Sequence, residues 1–169
     1  MIEIKNLYKE FELSKQQKRE LNTTDNKAIA VNDISFTCEP GKVFSLLGPN
    51  GAGKTTTLRM ISTIFKPTSG SIKIAGIDAI AQPQEARKKF VFLTGSTGLY
   101  ARLTPNEMID YFGALYGVEK SILKQRKEKL FDLLDMHHFA GKRIGKLSTG
   151  MKQKVSICRT MIHDPEVVV

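Results

Sequence analysis

Eight consecutive residues, Gly48, Pro49, Asn50, Gly51, Ala52, Gly53, Lys54 and Thr55, set glycines, a lysine and a hydroxyl in the order GxxxxGK[ST]. Each type suits one task in holding phosphates. Glycine tolerates backbone conformations that turn N–H groups toward phosphate oxygens, and a helix that follows such a loop points its positive N-terminal end at the same charge. Lys54 then reaches the outer phosphates of a nucleoside triphosphate, the Thr55 hydroxyl is placed to bind Mg²⁺, and Thr56 offers a further donor to the inner phosphates. A glycine-rich turn that merely exposes a lysine is the alternative. The apolar run before the loop and the helical pattern after it weigh against that alternative.

A second group of residues has a related chemistry. Leu147-Ser148-Thr149-Gly150-Met151 opens a helical pattern with Ser148 in the N-cap position, so a hydroxyl and the Gly150 backbone N–H stand at a helix N-terminus. Ser148 as a plain helix cap is the competing reading. Ser148 lies 94 positions after Lys54 (148 minus 54), across a helical layer. One chain is not expected to bring both groups to one phosphate; two chains arranged head to tail would.

The elements that must position these groups alternate strand and helix, the pattern of an α/β protein with a parallel sheet. Residues 2–4 and 30–36 read as strands, and the polar stretch 14–27 between them as a surface loop or insertion. Residues 43–47, apolar but for Ser45, read as a strand leading into the glycine-rich loop. A helix from Lys54 to about Phe65 follows, ended by Lys66-Pro67. Short strands are expected at 71–75 and 90–93. Thr104, Pro105 and Glu107 spell a capping box with proline at the first helical position, and Leu103 and Met108 a hydrophobic staple. Met108, Ile109, Phe112, Leu115 and Tyr116 share the apolar face of that helix. A second helix spans 121 to about 136 with Ile122, Leu123, Leu130, Phe131 and Leu134 inward, so residues from about 100 to 146 make a small helical layer. A third helix runs from Thr149 to His163; Asp164-Pro165 stops it, and 167–169 begin another buried parallel strand.

Composition narrows the classes. The 169 residues are 41% hydrophobic and 25% charged, the balance of a globular protein able to bury a core, with one domain as the default. The opening MIEIKNLYKEF has no secretory h-region, and no apolar run approaches the roughly 20 residues that span a bilayer. The cytoplasm is expected, and a membrane role needs a separate partner. Cys38 and Cys158 read as buried, reduced thiols, and His137, His138 and His163 lack the further ligands of a zinc site. The net charge of +9 permits nucleic acid or an anionic membrane surface as partner. Its Lys and Arg residues are scattered without interleaved aromatics, as on a solvated face, so no nucleic acid is expected.

GPNGAGKTTTLRM, LSTGM and LTPNE together resemble the ATP-binding cassette family, the ATPase subunits of ABC transporters, over essentially the whole chain. The first is similar to the family's Walker A segment, the second to its LSGGQ signature, the third to the segment after its Q-loop. AVNDISF, KPTSGSIKIAGIDA, FLTGSTGLYARLTPNE and STGMKQKVSICRTMIHDP are similar to sodium-extrusion (NatA-like) subunits that serve ABC-2 type export permeases. The resemblance implies an α/β P-loop NTPase core with an antiparallel β part at the N-terminus and a helical subdomain. It implies ATP and Mg²⁺ as cofactors, export through a separate membrane permease, and a second ATP-binding subunit as head-to-tail partner. The place it implies is the inner face of the cell membrane, reached through the permease. Phe11 falls where the family stacks an aromatic ring on adenine, an ordinary core Phe being the alternative. Ser148 and Gly150 fall where the family contacts a γ-phosphate held by the second subunit, while Thr149 and Met151 depart from its glycine and glutamine.

Two departures bear on hydrolysis. Gly95 stands where the family has a glutamine that bridges Mg²⁺, the attacking water and the permease; Ser96, through a water, is the candidate substitute. The sequence ends at Val169, ahead of the positions for the Walker B Asp and Glu, so no catalytic residue is assigned within it. The expectation is the N-terminal portion of such a subunit, with the C-terminal strands missing, binding ATP and hydrolysing it poorly. Two other classes stay open: a soluble ABC-type ATPase of translation or DNA repair, and a P-loop kinase of a small metabolite, which the LSTGM helix disfavours.

Overall fold

The structure, a computed structural model, describes residues 1–93 and 98–169. They divide into two compact units, Met1–Val91 with Val169, and Phe92–Val168.

In the first unit, β1 (Ile2–Glu12) lies inside an antiparallel sheet of order β2-β1-β3-β4, with β2 at Lys27–Cys38, β3 at Ser69–Ile74 and β4 at Ile77–Asp78. Apolar alternation sets the register. Ile2 pairs with Cys38 and Ile74, Ile4 pairs with Phe36 and Ile72, and all four isoleucines are buried. A register shift follows Ile4, where Asn6 takes φ 48°, and Leu7 comes to lie fully buried instead of outward. Each such side chain stabilises the unit by roughly 1.5–3 kcal/mol on leaving water.

Three local expectations change in this unit. The stretch between β1 and β2 is not a plain loop: it holds α1 (Lys15–Glu20), capped reciprocally by Ser14 and Gln17, with no buried residue. Residues 43–47 form no strand; they run without a ladder, and Val43 and Leu47 are 98% and 91% exposed. An apolar parallel strand is stable only between hydrogen-bonded neighbours, and among the described residues none pairs with this run. The helix after the loop, α2 (Lys54–Ile61), stops before Phe65. There Thr63 adopts φ 56° while its N–H donates to the Met60 carbonyl (3.0 Å) and the Ile64 N–H to the Arg59 carbonyl (2.9 Å), closing a Schellman turn without glycine. Arg87, at the end of α3 (Pro83–Arg87), holds the turn by donating to the Thr63 hydroxyl at 2.6 Å and carbonyl at 3.2 Å. Buried β5 (Phe90–Val91) follows, and the Val169 N–H donates to the Val91 carbonyl at 2.9 Å.

The second unit is helical. Its α4 (Pro105–Leu115) begins as the sequence reads: the Thr104 N–H donates to Glu107 Oε2 at 2.8 Å, the Glu107 N–H to Thr104 Oγ1 at 3.2 Å, and Leu103 packs on the cluster that contains Met108. The buried stripe is shorter than expected, since Leu115 and Tyr116 are 65% and 52% exposed. At Gly113 a Cβ would stand 2.3 Å from Leu123 Cδ1, so glycine permits the close packing of α4 on α5 (Lys120–Leu133). That helix ends ahead of Met136 because Asp135, at φ 48°, turns the chain; the Met136 N–H reaches back to the Phe131 carbonyl at 2.9 Å, and Met136 drops into the core. Ile122, expected inward, is 43% exposed. The last helix, α6 (Thr149–Met161), buries Val155 and Cys158, whose thiol burial pushes up to about 12. Cys38 is only partly buried, a correction to the reading of two buried thiols; both cysteines are free. Val168 of β6 (Val167–Val168) is half exposed, not the interior strand expected.

Candidate phosphate-binding site

The first unit builds its site where β2 meets the glycine-rich loop. Between the pairs Lys9–Val31 and Glu10–Ile29 the register shifts and leaves Ala30 as the extra residue of a bulge. Gly53 sits against that bulge. It holds φ 81°, and a Cβ there would stand 2.3 Å from the Ala30 carbonyl oxygen. Both the backbone and the space demand glycine. Gly53 is also the N-cap of α2, and it offers no side-chain acceptor to the first N–H groups of the helix.

A cavity of about 240 Å³ opens at this point, lined by Ala30, Asn50, Gly51, Gly53, Lys54, Thr55 and Thr56. Lys54 folds back on the loop: its Nζ donates to the carbonyls of Gly48 and Pro49, both at 2.7 Å, and the Ala52 N–H donates to Pro49 at 3.3 Å. Neutral carbonyls leave the ammonium charge uncompensated, and the first turn of α2 carries no acidic residue. Helix N-terminus and ammonium therefore present one positive field to a cavity with unoccupied backbone donors, an arrangement that a multiply charged anion fits.

The second unit presents its own helix N-terminus. Ser148, at ψ 163°, accepts the Met151 N–H on Oγ at 3.3 Å, so this helix is capped from within. Buried Leu147 and Ile144 anchor the approach, and the Gly145 N–H donates to the Ala101 carbonyl at 2.9 Å. Ser148, Thr149 and Gly150 are exposed, with open space beside Gly150.

Eleven of the sequence-derived residues fall into these two groups, and the twelfth does not. Phe11, on β1 opposite Ala28, is absent from the cavity lining; its ring meets Phe65 edge-on at 5.5 Å and carries the Lys9 ammonium 4.9 Å from its centre. Gly95 and Ser96 lie outside the described residues. Sequence reasoning missed Ala30 and Lys9. A bulge is set by strand register and leaves no residue signature, while Lys9 reads as one more surface charge on an alternating strand.

The ABC transporter family model matches residues 31–169. The chain belongs to the ABC transporter family. Among proteins similar to this ABC transporter chain, the ABC transporter ATP-binding protein NatA of Bacillus subtilis (strain 168) is 45% identical over 140 residues, 82% of this chain and 57% of that protein. The doxorubicin resistance ATP-binding protein DrrA of Mycobacterium tuberculosis (strain ATCC 25618 / H37Rv) is 33% identical over 141 residues, 83% of this chain and 43% of that protein. The chain thus spans about half the length of the curated relatives it matches. A solved ATP binding subunit of an ABC transporter superposes with a TM-score of 0.80 at 26% identity, over 99% of this chain and 64% of that one. An ATP-binding cassette solved as a dimer in a post-hydrolysis state with ADP and Pi shares the fold, with a TM-score of 0.79 at 22% identity over 99% and 72% of the two chains. These likenesses bear out the α/β ABC ATPase fold that the motifs imply.

Proposed function

We propose that this chain is the ATP-binding part of an ABC exporter that acts through a separate ABC-2 type permease, in the sodium-extrusion subgroup. The observation that carries the reading is the N-terminus of α2, without a side-chain cap, beside an ammonium that, among the described residues, is held by two carbonyls. In this reading Lys54 leaves Gly48 and Pro49 for the outer phosphates, where bonds to charged oxygens replace bonds to neutral carbonyls. The backbone N–H groups of Gly51 and of Gly53 through Thr56 donate to phosphate oxygens, and the exposed Thr55 hydroxyl takes one position on Mg²⁺. When bound, Mg²⁺ neutralises charge on the phosphate oxygens. Phe11 supplies a ring for the base. Ser148 and Gly150, exposed on the second unit, meet the γ-phosphate held by a second subunit arranged head to tail.

The second unit also supports a membrane-protein partner. Tyr111 and Leu115 lie one turn apart on α4 and are 49% and 65% exposed, and Tyr100, 51% exposed, packs edge-on against Tyr111 at 6.1 Å. Such an exposed apolar and aromatic patch suits a protein interface. Among the described residues no helix is long and apolar enough to cross a membrane, and the reading places the chain on the inner face of the cell membrane through its permease.

Thermal melts with and without Mg²⁺-ATP test the nucleotide site. Ligand at a hundred times its native Kd stabilises the folded chain by about 2.7 kcal/mol; that shift is expected in the native chain and only about 0.4–1.4 kcal/mol in Lys54→Ala, whose binding is about tenfold to hundredfold weaker, and equal shifts in both would refute the loop as the site. Sedimentation of the subunit with Ser148→Arg tests the second group: an ATP-dependent dimer that survives the substitution removes Ser148 from the partner's nucleotide.

A further inference from the structure

The ring proposed to receive the base is already occupied. Lys9 and Phe11 stand on β1 at either side of the register shift that delivers Ala30 to the cavity. The Lys9 ammonium lies 4.9 Å from the centre of the Phe11 ring and donates to the Lys66 carbonyl at 2.8 Å. Against the same ring stands Phe65, 5.5 Å away at 74°, with the Arg59 guanidinium 5.6 Å over the Phe65 ring in turn. The segment bearing Phe65 and Lys66 leaves the end of α2 and is stitched to β1: the Thr68 N–H donates to the Tyr8 carbonyl at 2.9 Å, and the Glu10 N–H to the Thr68 hydroxyl at 3.2 Å.

The two neighbours of Phe11 differ in how they are held. Phe65 is fixed by the exit of α2. Lys9 is fixed by one carbonyl and by the ring itself, on a long stem that water can reach. We propose that Lys9 is a specificity-determining residue, which competes with the nucleobase for the Phe11 ring and so lowers the contribution of the base to nucleotide affinity. This rests on the reading of the loop as a nucleotide site and of Phe11 as its ring. A cation over an aromatic face at an exposed site is worth about 0.5–1 kcal/mol, so removing it should tighten base stacking about two- to fivefold. A ligand without a base gains nothing from the vacated ring.

Lys9→Met keeps the stem and removes the charge. Calorimetry with ATP and with inorganic tripolyphosphate, on the native chain and this variant, reads the ratio of the two affinities, which cancels the general loss of a positive charge. The ratio is expected to shift two- to fivefold in favour of ATP, and the shift to vanish in a Phe11→Leu background. An unchanged ratio, or a shift that persists without the Phe11 ring, overturns the role of Lys9 while Lys54-dependent binding of tripolyphosphate leaves the phosphate site standing. Failure of the native chain to bind either ligand overturns both.

Discussion

Two helices of this chain begin at residues that the sequence marks for anion binding, and they begin in opposite ways. α6 starts in the ordinary manner, with Ser148 in the extended region and its hydroxyl accepting the Met151 N–H. α2 starts at a glycine in the left-handed region that accepts nothing from the helix through a side chain, is wedged against a strand bulge, and is followed by a lysine bonded back to its own loop. The first arrangement satisfies one of its own donors, the Met151 N–H, through its cap and leaves Gly150 exposed. The second leaves donors and charge to a ligand. A shared place at a helix N-terminus therefore does not make a shared way of meeting an anion; what separates the two is whether the cap is filled from within.

The largest expected effect comes from filling the wrong one. Gly53→Ala forces a Cβ residue into φ 81° and against the Ala30 carbonyl; the left-handed conformation alone costs roughly 1–2 kcal/mol, and the contact adds to it. A thermal melt should show a loss of about 2 kcal/mol or more, with ATP stabilisation abolished. A Gly53→Ala chain that melts and binds like the native one would show that α2 does not rest on the bulge.

Next in size are the self-capped helices. Thr104→Ala removes the acceptor of the Glu107 N–H and should cost about 1 kcal/mol in chemical denaturation, and Ser148→Ala about as much or somewhat less, given its longer bond of 3.3 Å. A Ser148→Ala cost well above that of Thr104→Ala would reverse the comparison within the second unit.

The smallest effect is pH-dependent. The Thr104 N–H, and then its hydroxyl, hold the Glu107 carboxyl below its ordinary value of 4.5. A carboxyl lowered on folding contributes stability that is present above the unfolded value and is lost as pH falls through the lower folded value. Acid titration should therefore weaken the native chain below about pH 4.5 more steeply than it weakens Glu107→Gln, and equal slopes would sever the carboxylate from the cap.

The same contrast explains what was legible in the sequence. Helix starts could be read because they depend on neighbouring side chains: Thr104, Pro105 and Glu107 for α4, Ser148 for α6, and the glycines with Lys54 for α2. Two helix ends could not, because Thr63 and Asp135 occupy left-handed positions where glycine is the usual signal. The run 43–47 departs for a different reason, since it has the composition of an interior strand while among the described residues no strand pairs with it. Ala30 and Lys9 depend on strand register, a property of two segments at once. The phosphate site was therefore legible as a list of residues, and its wall was not.

Calorimetric titration of ATP into the native chain, Lys54→Ala and Ser148→Ala, in one buffer with Mg²⁺, tests the contrast between the two helix starts most directly. Loss of a charge-assisted contact worth about 1.5–3 kcal/mol should weaken binding to Lys54→Ala about tenfold to hundredfold, with Ser148→Ala within about twofold of the native chain. Equal affinity for the native chain and Lys54→Ala, or an equal loss in Ser148→Ala, would contradict the assignment of the nucleotide to the N-terminus of α2.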